Sequence, residues 1–397
     1  MTRLWDKGKP LDARVLAYTA GEDHLLDARL VAHDVRASIA HARMLAGADL
    51  VSADDCEAIC SALAEIGAAH QRGEWQIGIE DEDCHTALER RLTARIGAAG
   101  ARVHLGRSRN DQVLTALRLY MREEVAALAG ETRALSAALR ALAARQGDIV
   151  LPGYTHMQQA MPSSVALWSG GFASELDDDA AGIEAVLRRI ERSPLGSAAG
   201  YGAAGLPIDR EATRAALGFT TVHEPVTAVQ LSRGKAEAQL LFEASLLMTD
   251  LGRLAQDVLL FYTQEFAFIT LGDAFTTGSS IMPQKRNPDL FELIRGNTAV
   301  AQACLVEVLG IIGKLSSGYQ RDLQLLKRPL FRGIDLARAT LDVLPAAIES
   351  IRFQAQNIHL DPGIHAAAEA YRLVLDEGIP FREAYRRVAA GQTGKAK

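Results

Sequence analysis

The chain has 397 residues, 48% of them hydrophobic, and a formal net charge of -6 without a basic tract. This composition can supply the cores of two or three domains, and it excludes the electrostatic footprint of proteins that bind nucleic acid or acidic membranes. No window approaches the roughly 20 apolar residues that a membrane span needs, and the N-terminus lacks an apolar signal core. We therefore expect a cytoplasmic protein without membrane contact.

The first part of the chain is predicted to form shorter amphipathic helices, including residues 26–45 and 54–69. Four cysteines are too few and too scattered for a disulfide framework, so we expect reduced thiols. Cys84 and His85 are adjacent, but no second Cys/His cluster lies at zinc-like spacing. We therefore predict no metal site.

A long helix is predicted directly after residues 104–112 (HLGRSRNDQ), because apolar residues recur at helical spacing from Leu114 to Leu142. Ser108 or Asn110 can cap this helix. Capping does not explain two arginines and an asparagine in front of a helix N-terminus. Such a concentration of donors would hold a dicarboxylate by bidentate pairing.

The middle of the chain holds two irregular segments and a second long helix. Residues 153–162 (GYTHMQQAMP) carry His156, and a lone histidine near a helix start is usually structural. Residues 200–205 (GYGAAG) match the dinucleotide fingerprint, but no buried strand precedes them, so we predict a glycine turn. From Leu240 to Phe261 a broad apolar stripe predicts a helix buried on several sides. No strand-period segment exceeds a few residues, which indicates an all-α fold.

Residues 278–289 (GSSIMPQKRNPD) combine hydroxyls, a cation and an amide, and their two prolines forbid a continuous helix. Pro288 and Asp289 can start the following apolar run as a new helix. The segment is therefore predicted to deliver polar groups to a helix N-terminus, which favours anions. A capped surface loop would account for any short piece of it, but not for the whole.

Residues 319–327 (YQRDLQLLK) place leucines on one helix face, with Lys327 on the solvated edge as the structural alternative. Residues 361–363 (DPG) mark the last boundary. We predict an N-terminal helical domain (1–104), a central domain of long helices (105–357) and a short C-terminal helical domain (358–397), whose completeness the sequence leaves open.

Residues 278–289 resemble the signature of the fumarase/aspartase superfamily, whose members eliminate fumarate from a succinyl compound. Residues 106–112 (GRSRNDQ) are similar to the segment typical of argininosuccinate lyases, whereas adenylosuccinate lyases and fumarases carry different residues there. The likeness extends from about Leu4 to Glu383. It departs at residues 232–235, which are SRGK where most argininosuccinate lyases have an acidic SDRD run.

The resemblance implies how fumarate would be eliminated. A proton must leave a carbon next to a carboxylate, and the resulting carbanion survives only if positive charge holds the carboxylate oxygens. The implied base is Ser279, and Lys285 with Asn287 would stabilise the dianionic intermediate. His156, backed by Glu292, would deliver a proton to the leaving guanidinium nitrogen, with Thr155 assisting.

The resemblance also implies a binding set, an assembly and a reaction. Arg109 and Asn110 would bind the succinyl carboxylates. The rest of the substrate would meet Asp27, Ser108, Tyr319, Gln324 and Lys327. The implied protein is an all-α homotetramer with active sites shared between subunits and no cofactor, which converts argininosuccinate to fumarate and arginine in arginine biosynthesis. The alternatives are adenylosuccinate lyase or another fumarate-releasing lyase, and a non-catalytic crystallin-like relative.

Overall fold

The computed structural model describes residues 12–392, so Leu4 and the extreme ends of the two predicted terminal domains lie outside the described residues. The described chain is predominantly helical, as predicted. It forms two compact units. Unit 1 comprises the described residues up to 128, 182–244 and 301–335, and unit 2 comprises 129–181, 245–300 and the described residues from 336. The three-domain division at residues 104 and 357 stays a prediction.

Short helices fill the first part of unit 1. They are α1 (Ala13–Ala20), α2 (Asp23–Leu26), α3 (Val31–Gly47), α4 (Ala53–Gln71), α5 (Cys84–Ile96) and α6 (Ala98–Ala101), with 3-10 turns at Asp27–Leu30, Ile79–Asp81 and Arg102–His104. The helices predicted over residues 26–45 and 54–69 are confirmed within a few residues, except that a 3-10 turn begins the first one. Ser52 and Asp83 cap α4 and α5 by accepting backbone N–H groups. Helix α3 packs against both of these helices.

Long helices follow, separated by short ones. In chain order they are α7 (Arg109–Gln146), α8 (Val165–Ala185), α9 (Leu187–Ile190), α10 (Arg210–Ala216), α11 (Ala228–Leu231), α12 (Lys235–Tyr262), α13 (Asp289–Ile312) and α14 (Lys327–Ser350). The stripes predicted for α7 and α12 are buried: from Leu240 to Phe261 every stripe residue is at most 7% exposed. Period-3.6 apolar spacing therefore predicted both helices and their buried faces.

Side chains link the long helices within unit 2. Ser136 of α7 donates to the Ala173 carbonyl of α8 at 2.9 Å, and Trp168 of α8 donates to Asp257 of α12 at 2.9 Å. Arg338 of α14 lies 2.7 Å from a carboxylate oxygen of Glu131 on α7. The unit ends with α15 (Ala366–Glu377) and α16 (Phe381–Gln392), which share a small core of Ala370, Ala384 and Val388.

A β-hairpin interrupts the helices of unit 2, and here the expectation of no strand longer than a few residues is wrong. Strands β1 (Val150–Thr155) and β2 (Gln158–Ser164) pair antiparallel, with a bulge at Gly153/Tyr154. Pro152 pairs with Pro162, which a two-stranded ribbon tolerates because both strands are edges. The remaining described strands span two residues each.

These short strands are β3 (Arg192–Ser193), β4 (Thr221–Val222), β5 (Ile269–Thr270), β6 (Thr277–Gly278), β7 (Arg286–Asn287) and β8 (Arg352–Phe353). Strands β3 and β4 pair parallel, whereas β5 pairs with β8 and β6 with β7 antiparallel. Gly200, Gly202 and Gly205 all have positive φ, so the predicted glycine turn is confirmed. None of the described helices is long and apolar enough to span a bilayer.

Candidate active site

In unit 2 the polar segment 278–289 forms a loop held at its base by a short ladder. Gly278 pairs with Arg286 and Thr277 with Asn287, and the Thr277 hydroxyl donates to Asp289. Helix α13 begins at Asp289 directly after Pro288, as predicted. The sequence therefore correctly placed a polar loop in front of a helix N-terminus.

Ser279, the predicted base, lies at the start of this loop and is partly exposed. Its hydroxyl oxygen accepts hydrogen bonds from the backbone N–H of Met282 at 3.2 Å and of Ile281 at 3.4 Å. Two backbone donors aimed at one oxygen favour negative charge on it. This local fold prepares a hydroxyl to carry an anionic charge.

An open cavity of about 870 Å³ lies beside the loop in unit 2. Three of the predicted residues line it together: Lys285, Asn287 and Glu292. The Asn287 amide donates to the Gly278 carbonyl at 3.4 Å, which ties its side chain to the start of the loop. Lys285 and Glu292 are exposed.

Thr155 and His156 lie at the tip of the β1–β2 hairpin, not near a helix start as the sequence suggested. Thr155 pairs with Gln158, so His156 and Met157 form a two-residue turn with φ of 52° and 60°. Such turns prefer Asn-Gly, because other residues are strained in the left-handed region. Strained backbone at a polar, exposed tip is common at functional sites. Among the described residues no hydrogen bond joins His156 to Glu292.

In unit 1 the N-terminus of α7 is built by the predicted cap. The Ser108 hydroxyl accepts the Asn110 N–H at 3.3 Å, and Asp111 accepts the Ser108 N–H at 3.0 Å. Asp111 also accepts hydrogen bonds from the backbone N–H groups of Gly196 and Ala198 at 3.0 and 2.8 Å, which anchors the loop after β3 to this helix end. Burial raises the pKa of Asp111 to about 6.

A cavity of about 60 Å³ in unit 1 gathers most of the predicted binding residues. The predicted residues that line it are Arg109, Tyr319, Gln324 and Lys327. Asp27 lies behind Lys327, whereas Ser108 and Asn110 remain at the helix cap outside the lining. The sequence did not identify the other charged residues of the lining, which are Asp23, Glu82, Asp83, His85, Arg233 and Arg321.

Lys327 is buried, so the alternative prediction that it lies on the solvated edge of a helix is wrong. Its Nζ lies 2.6 Å from Asp27 and 2.7 Å from Asp23. Burial opposes the charge, yet the two carboxylates raise the pKa of Lys327 above its ordinary value. Burial also raises the pKa of Asp23 to about 7, against the pull of the ammonium. Lys327 therefore lines the cavity as a buried ammonium paired with two carboxylates, and its role in substrate binding stays a prediction.

Arg109 and Arg321 are also paired with carboxylates, but they are less buried. Arg109 lies 3.1 Å from Asp83 and 3.8 Å from Glu82, and Arg321 lies 3.3 Å from Glu82. Glu82 has a φ of 67°, a strained conformation for a non-glycine residue. Although burial opposes it, the neighbouring cations His85 and Arg109 hold the pKa of Asp83 below its ordinary value.

One group of potential metal ligands lies close together in the described part of the chain: Asp27, Cys84 and His85, with ligand atoms within 4.8 Å. The Asp27 carboxylate is already engaged by the Lys327 ammonium at 2.6 Å and by the Cys84 backbone N–H at 3.2 Å, and His85 Nδ1 lies 2.9 Å from Asp34. Burial, together with the nearby carboxylates, raises the pKa of the Cys84 thiol well above its usual range. These contacts favour a thiol and an ammonium here over a metal ion. All four cysteines are free and buried.

Comparison with known proteins decides the family. A model of a family described as lyases matches residues 9–303. The argininosuccinate lyase of Sorangium cellulosum is 47% identical over 390 residues, which cover 98% of this chain and 90% of the relative. The argininosuccinate lyase of Thermotoga neapolitana is 39% identical over a match that covers 98% of this chain and 97% of the relative. The chain belongs to the argininosuccinate lyase family.

Solved structures show the same fold as this member of the argininosuccinate lyase family. An EDDS lyase in complex with formate has a TM-score of 0.79 at 24% identity, with 96% of this chain and 76% of the other covered. A class II fumarase from Schistosoma mansoni has a TM-score of 0.78 at 18% identity, with 96% and 88% covered. The predicted relationship to the fumarase/aspartase superfamily is confirmed at the level of fold.

The predicted site residues of this argininosuccinate lyase relative fall into two groups, one in each unit. Unit 2 holds Ser279, Lys285, Asn287, Glu292, Thr155 and His156, and unit 1 holds Asp27, Ser108, Arg109, Asn110, Tyr319, Gln324 and Lys327. The missed residues Glu82 and Asp83 did leave a signal, the acidic run before Cys84. Arg233 lies in the SRGK departure noted in the sequence, whereas Asp23 left no signal because its partner Lys327 is distant in sequence.

Proposed function

We propose that the chain catalyses the reversible elimination of fumarate from argininosuccinate, which leaves arginine. The observation that carries the proposal is the pair of backbone N–H groups held on the Ser279 hydroxyl, on a loop that also presents Lys285. The 47% identity to a relative named argininosuccinate lyase supports the choice of substrate. Each chemical step uses side chains of the protein itself, so the proposal includes no cofactor.

Ser279 removes the proton from the carbon next to a succinyl carboxylate. Serine is a weak base, so its alkoxide must be favoured by several pKa units, each worth about 1.36 kcal/mol. The N–H groups of Ile281 and Met282 supply part of this stabilisation, and the Lys285 ammonium on the same loop supplies more.

The electrons of the broken C–H bond are held as a dianionic intermediate before the C–N bond breaks. Lys285 and Asn287, which line one cavity, stabilise the extra charge on the carboxylate. The electron pair of the C–N bond then goes to the guanidinium nitrogen, which takes a proton from His156. In this proposal Glu292 polarises His156, and Thr155 assists.

Unit 1 supplies the binding groups, from its cavity and from the adjoining N-terminal cap of α7. Arg109 and Asn110 hold the succinyl carboxylates, a role supported by the arginine's partly exposed guanidinium. The remaining substrate contacts come from Asp27, Ser108, Tyr319, Gln324 and Lys327. Thus the two groups of predicted residues have different tasks, one chemical and one in recognition.

We further propose a homotetramer in which each active site draws segments from different subunits. Support comes from large apolar side chains exposed on α12 and α13. These are Phe242 (48% exposed), Leu246 (44%), Leu293 (67%), Val306 (66%) and Leu309 (50%). Such a concentration on long helices fits association with further copies of the same chain. Light scattering at micromolar concentration should give a tetrameric mass, and an active monomer would contradict the shared site.

The decisive experiment is fumarate release, followed by ultraviolet absorbance, from argininosuccinate and in parallel from adenylosuccinate. We expect release from argininosuccinate alone. Release from adenylosuccinate alone would favour the alternative lyase, and release from neither would favour a non-catalytic crystallin-like relative. A cytoplasmic location is part of the proposal and is supported by the four free cysteines.

The role of Ser279 has a matched control in its neighbour. Ser279→Ala should lower kcat by roughly 10²–10⁴-fold, the usual contribution of a general base, with little change in KM. Ser280→Ala removes an exposed hydroxyl one residue away and should leave both constants near those of the wild type. Equal losses in the two variants would assign the effect to the loop rather than to the Ser279 hydroxyl.

A further inference from the structure

Arg233 is a buried cation with unused hydrogen-bonding capacity. Its side chain is 4% exposed and lines the cavity of unit 1. One guanidinium nitrogen donates to the Leu323 carbonyl at 3.5 Å, the outer limit of a hydrogen bond, while Nε and Nη1 have no partner. A buried charged group with unmet donors is costly, so these donors are candidates for binding a ligand.

The backbone holds Arg233 in this place. Gly234 follows it with a φ of 81°, and a Cβ at Gly234 would collide with the Ile312 side chain. Only glycine fits this turn without strain. The arginine is therefore presented to the cavity by a fixed turn between α11 and α12.

Among the described residues that line the cavity, Arg233 is the arginine or lysine without a carboxylate partner. The others are each in an ion pair: Lys327 with Asp23 and Asp27, Arg109 with Asp83, and Arg321 with Glu82. Glu237, one turn beyond Arg233, is buried but forms no ion pair with it in the described structure. Within the described structure the cavity therefore contains a guanidinium that forms no ion pair.

We propose that Arg233 binds the α-carboxylate of the arginine moiety of the substrate. The inference rests on the proposed function, whose product carries a carboxylate and an ammonium on one carbon. That pair matches an unpaired guanidinium next to the acidic side chains Asp23 and Glu82. Arginine also suits the task because its planar fork pairs with both oxygens of a carboxylate.

Calorimetric titration with L-arginine and L-argininamide tests this assignment, because the amide lacks only the carboxylate charge. Wild-type protein should bind arginine roughly tenfold to a hundredfold more tightly than argininamide. Arg233→Gln should weaken arginine binding by a similar factor and leave argininamide binding unchanged. In turnover, KM for argininosuccinate should rise while kcat stays near the wild-type value, because this end of the substrate does not react.

Two further variants complete the design. Arg72→Gln removes an exposed arginine paired with Glu74 and should change neither affinity. Arg233→Lys keeps the charge but loses the fork, so arginine affinity should fall at least fivefold. This variant carries the test if the glutamine variant does not fold. Unchanged arginine affinity in either Arg233 variant, or equal weakening of both ligands, would overturn the inference.

Failure of this inference is distinguishable from failure of the proposed function. If the wild type releases no fumarate but still discriminates arginine from argininamide through Arg233, the binding role stands and the reaction is wrong. If fumarate is released and Arg233→Gln has a wild-type KM, the reaction stands and the binding role is wrong.

Discussion

Replacing Lys327 with methionine removes the cation at the centre of the unit 1 cavity. The Lys327 side chain is 3% exposed, and its ammonium lies within 2.7 Å of Asp23 and Asp27, whose side chains are 11% and 0% exposed. Methionine keeps most of the volume and leaves two buried carboxylates without their partner. The perturbation therefore tests an electrostatic contribution without creating a large void.

Removing one partner of a buried ion pair costs roughly 3–5 kcal/mol, because the remaining charge is left desolvated. An unpaired carboxylate can take up a proton, so the cost of protonation is the upper bound on the free energy that each carboxylate loses. At pH 7, protonating an ordinary aspartate costs roughly 4 kcal/mol, since each pH unit above about 3.9 adds 1.36 kcal/mol. At pH 5 the same bound falls to roughly 1.5 kcal/mol. We therefore expect Lys327→Met to lower the free energy of unfolding by about 4 kcal/mol at pH 7 and clearly less at pH 5.

Proton linkage gives the direction in which the stability difference between variant and wild type changes with pH. In the variant the folded state binds a proton that the unfolded state releases above pH 4, so stability relative to the wild type falls as pH rises. Urea denaturation measures the effect, and both proteins are compared at the same concentration because the proposed assembly would make stability concentration-dependent. Arg328→Met is the control: Arg328 is 60% exposed in its pair with Glu307, and its loss should cost at most about 1 kcal/mol. Equal losses in the two variants at pH 7 would refute the reasoning.

Three other predictions concern binding, acid sensitivity and backbone strain. Arg109→Ala should weaken the affinity for succinate, measured by calorimetry, by roughly tenfold or more. Undiminished affinity would count against the proposal that Arg109 holds the succinyl carboxylates. His223 accepts a hydrogen bond from Arg118, and burial next to several arginines lowers its pKa to about 3. Between about pH 6.5 and 3 this histidine is therefore protonated in the unfolded state but neutral in the folded state. Lowering the pH from 7.5 to 5.5 should reduce the unfolding free energy of the wild type by about 1.4 kcal/mol more than that of His223→Gln, as measured by urea titration. Met157 has a φ of 60°, so Met157→Gly should be neutral or should stabilise the fold by up to about 1 kcal/mol. Met161 lies in strand β2, and Met161→Gly should destabilise the fold by a similar amount. Thermal melts in which both variants change stability in the same direction would contradict the strain at the turn.

Local chemistry predicted those parts of the fold that depend on neighbours in sequence. The stripe from Leu240 to Phe261 specified α12 and its buried face, because helical spacing needs no information from elsewhere in the chain. Pro288 and Asp289 marked the start of α13 for the same reason. The cap at Ser108 was likewise visible, since its partners lie within three residues.

The hairpin at residues 150–164 was missed because its sequence lacks strand signals. Its prolines, glutamines and serines do not alternate in polarity, and its turn is His156-Met157 instead of the favoured Asn-Gly. Tertiary context therefore overrides weak local preference at this point. The placement of His156 at a strained turn is information that only the structure provides.

The pairing of Lys327 illustrates a second limit. Its partner Asp27 lies 300 positions away in sequence. Leucine spacing around residues 323–330 specified a helix face and left the lysine as an apparent solvated edge. Only the approach of Asp23 and Asp27 to the first residue of α14 in unit 1 makes this lysine a buried cation.

The cations of the unit 1 cavity therefore divide by how readily they can exchange partners. Lys327 is locked by two buried carboxylates, and freeing it for a ligand would cost several kcal/mol. Arg109 and Arg321 are 27% and 51% exposed, so water and a ligand carboxylate can replace their present partners at much lower cost. Arg233 has no carboxylate partner among the described residues and would give up only a long hydrogen bond to the Leu323 carbonyl. A doubly or triply charged substrate should therefore engage Arg233 and the exposed arginines first, while Lys327 fixes the shape of the cavity around them.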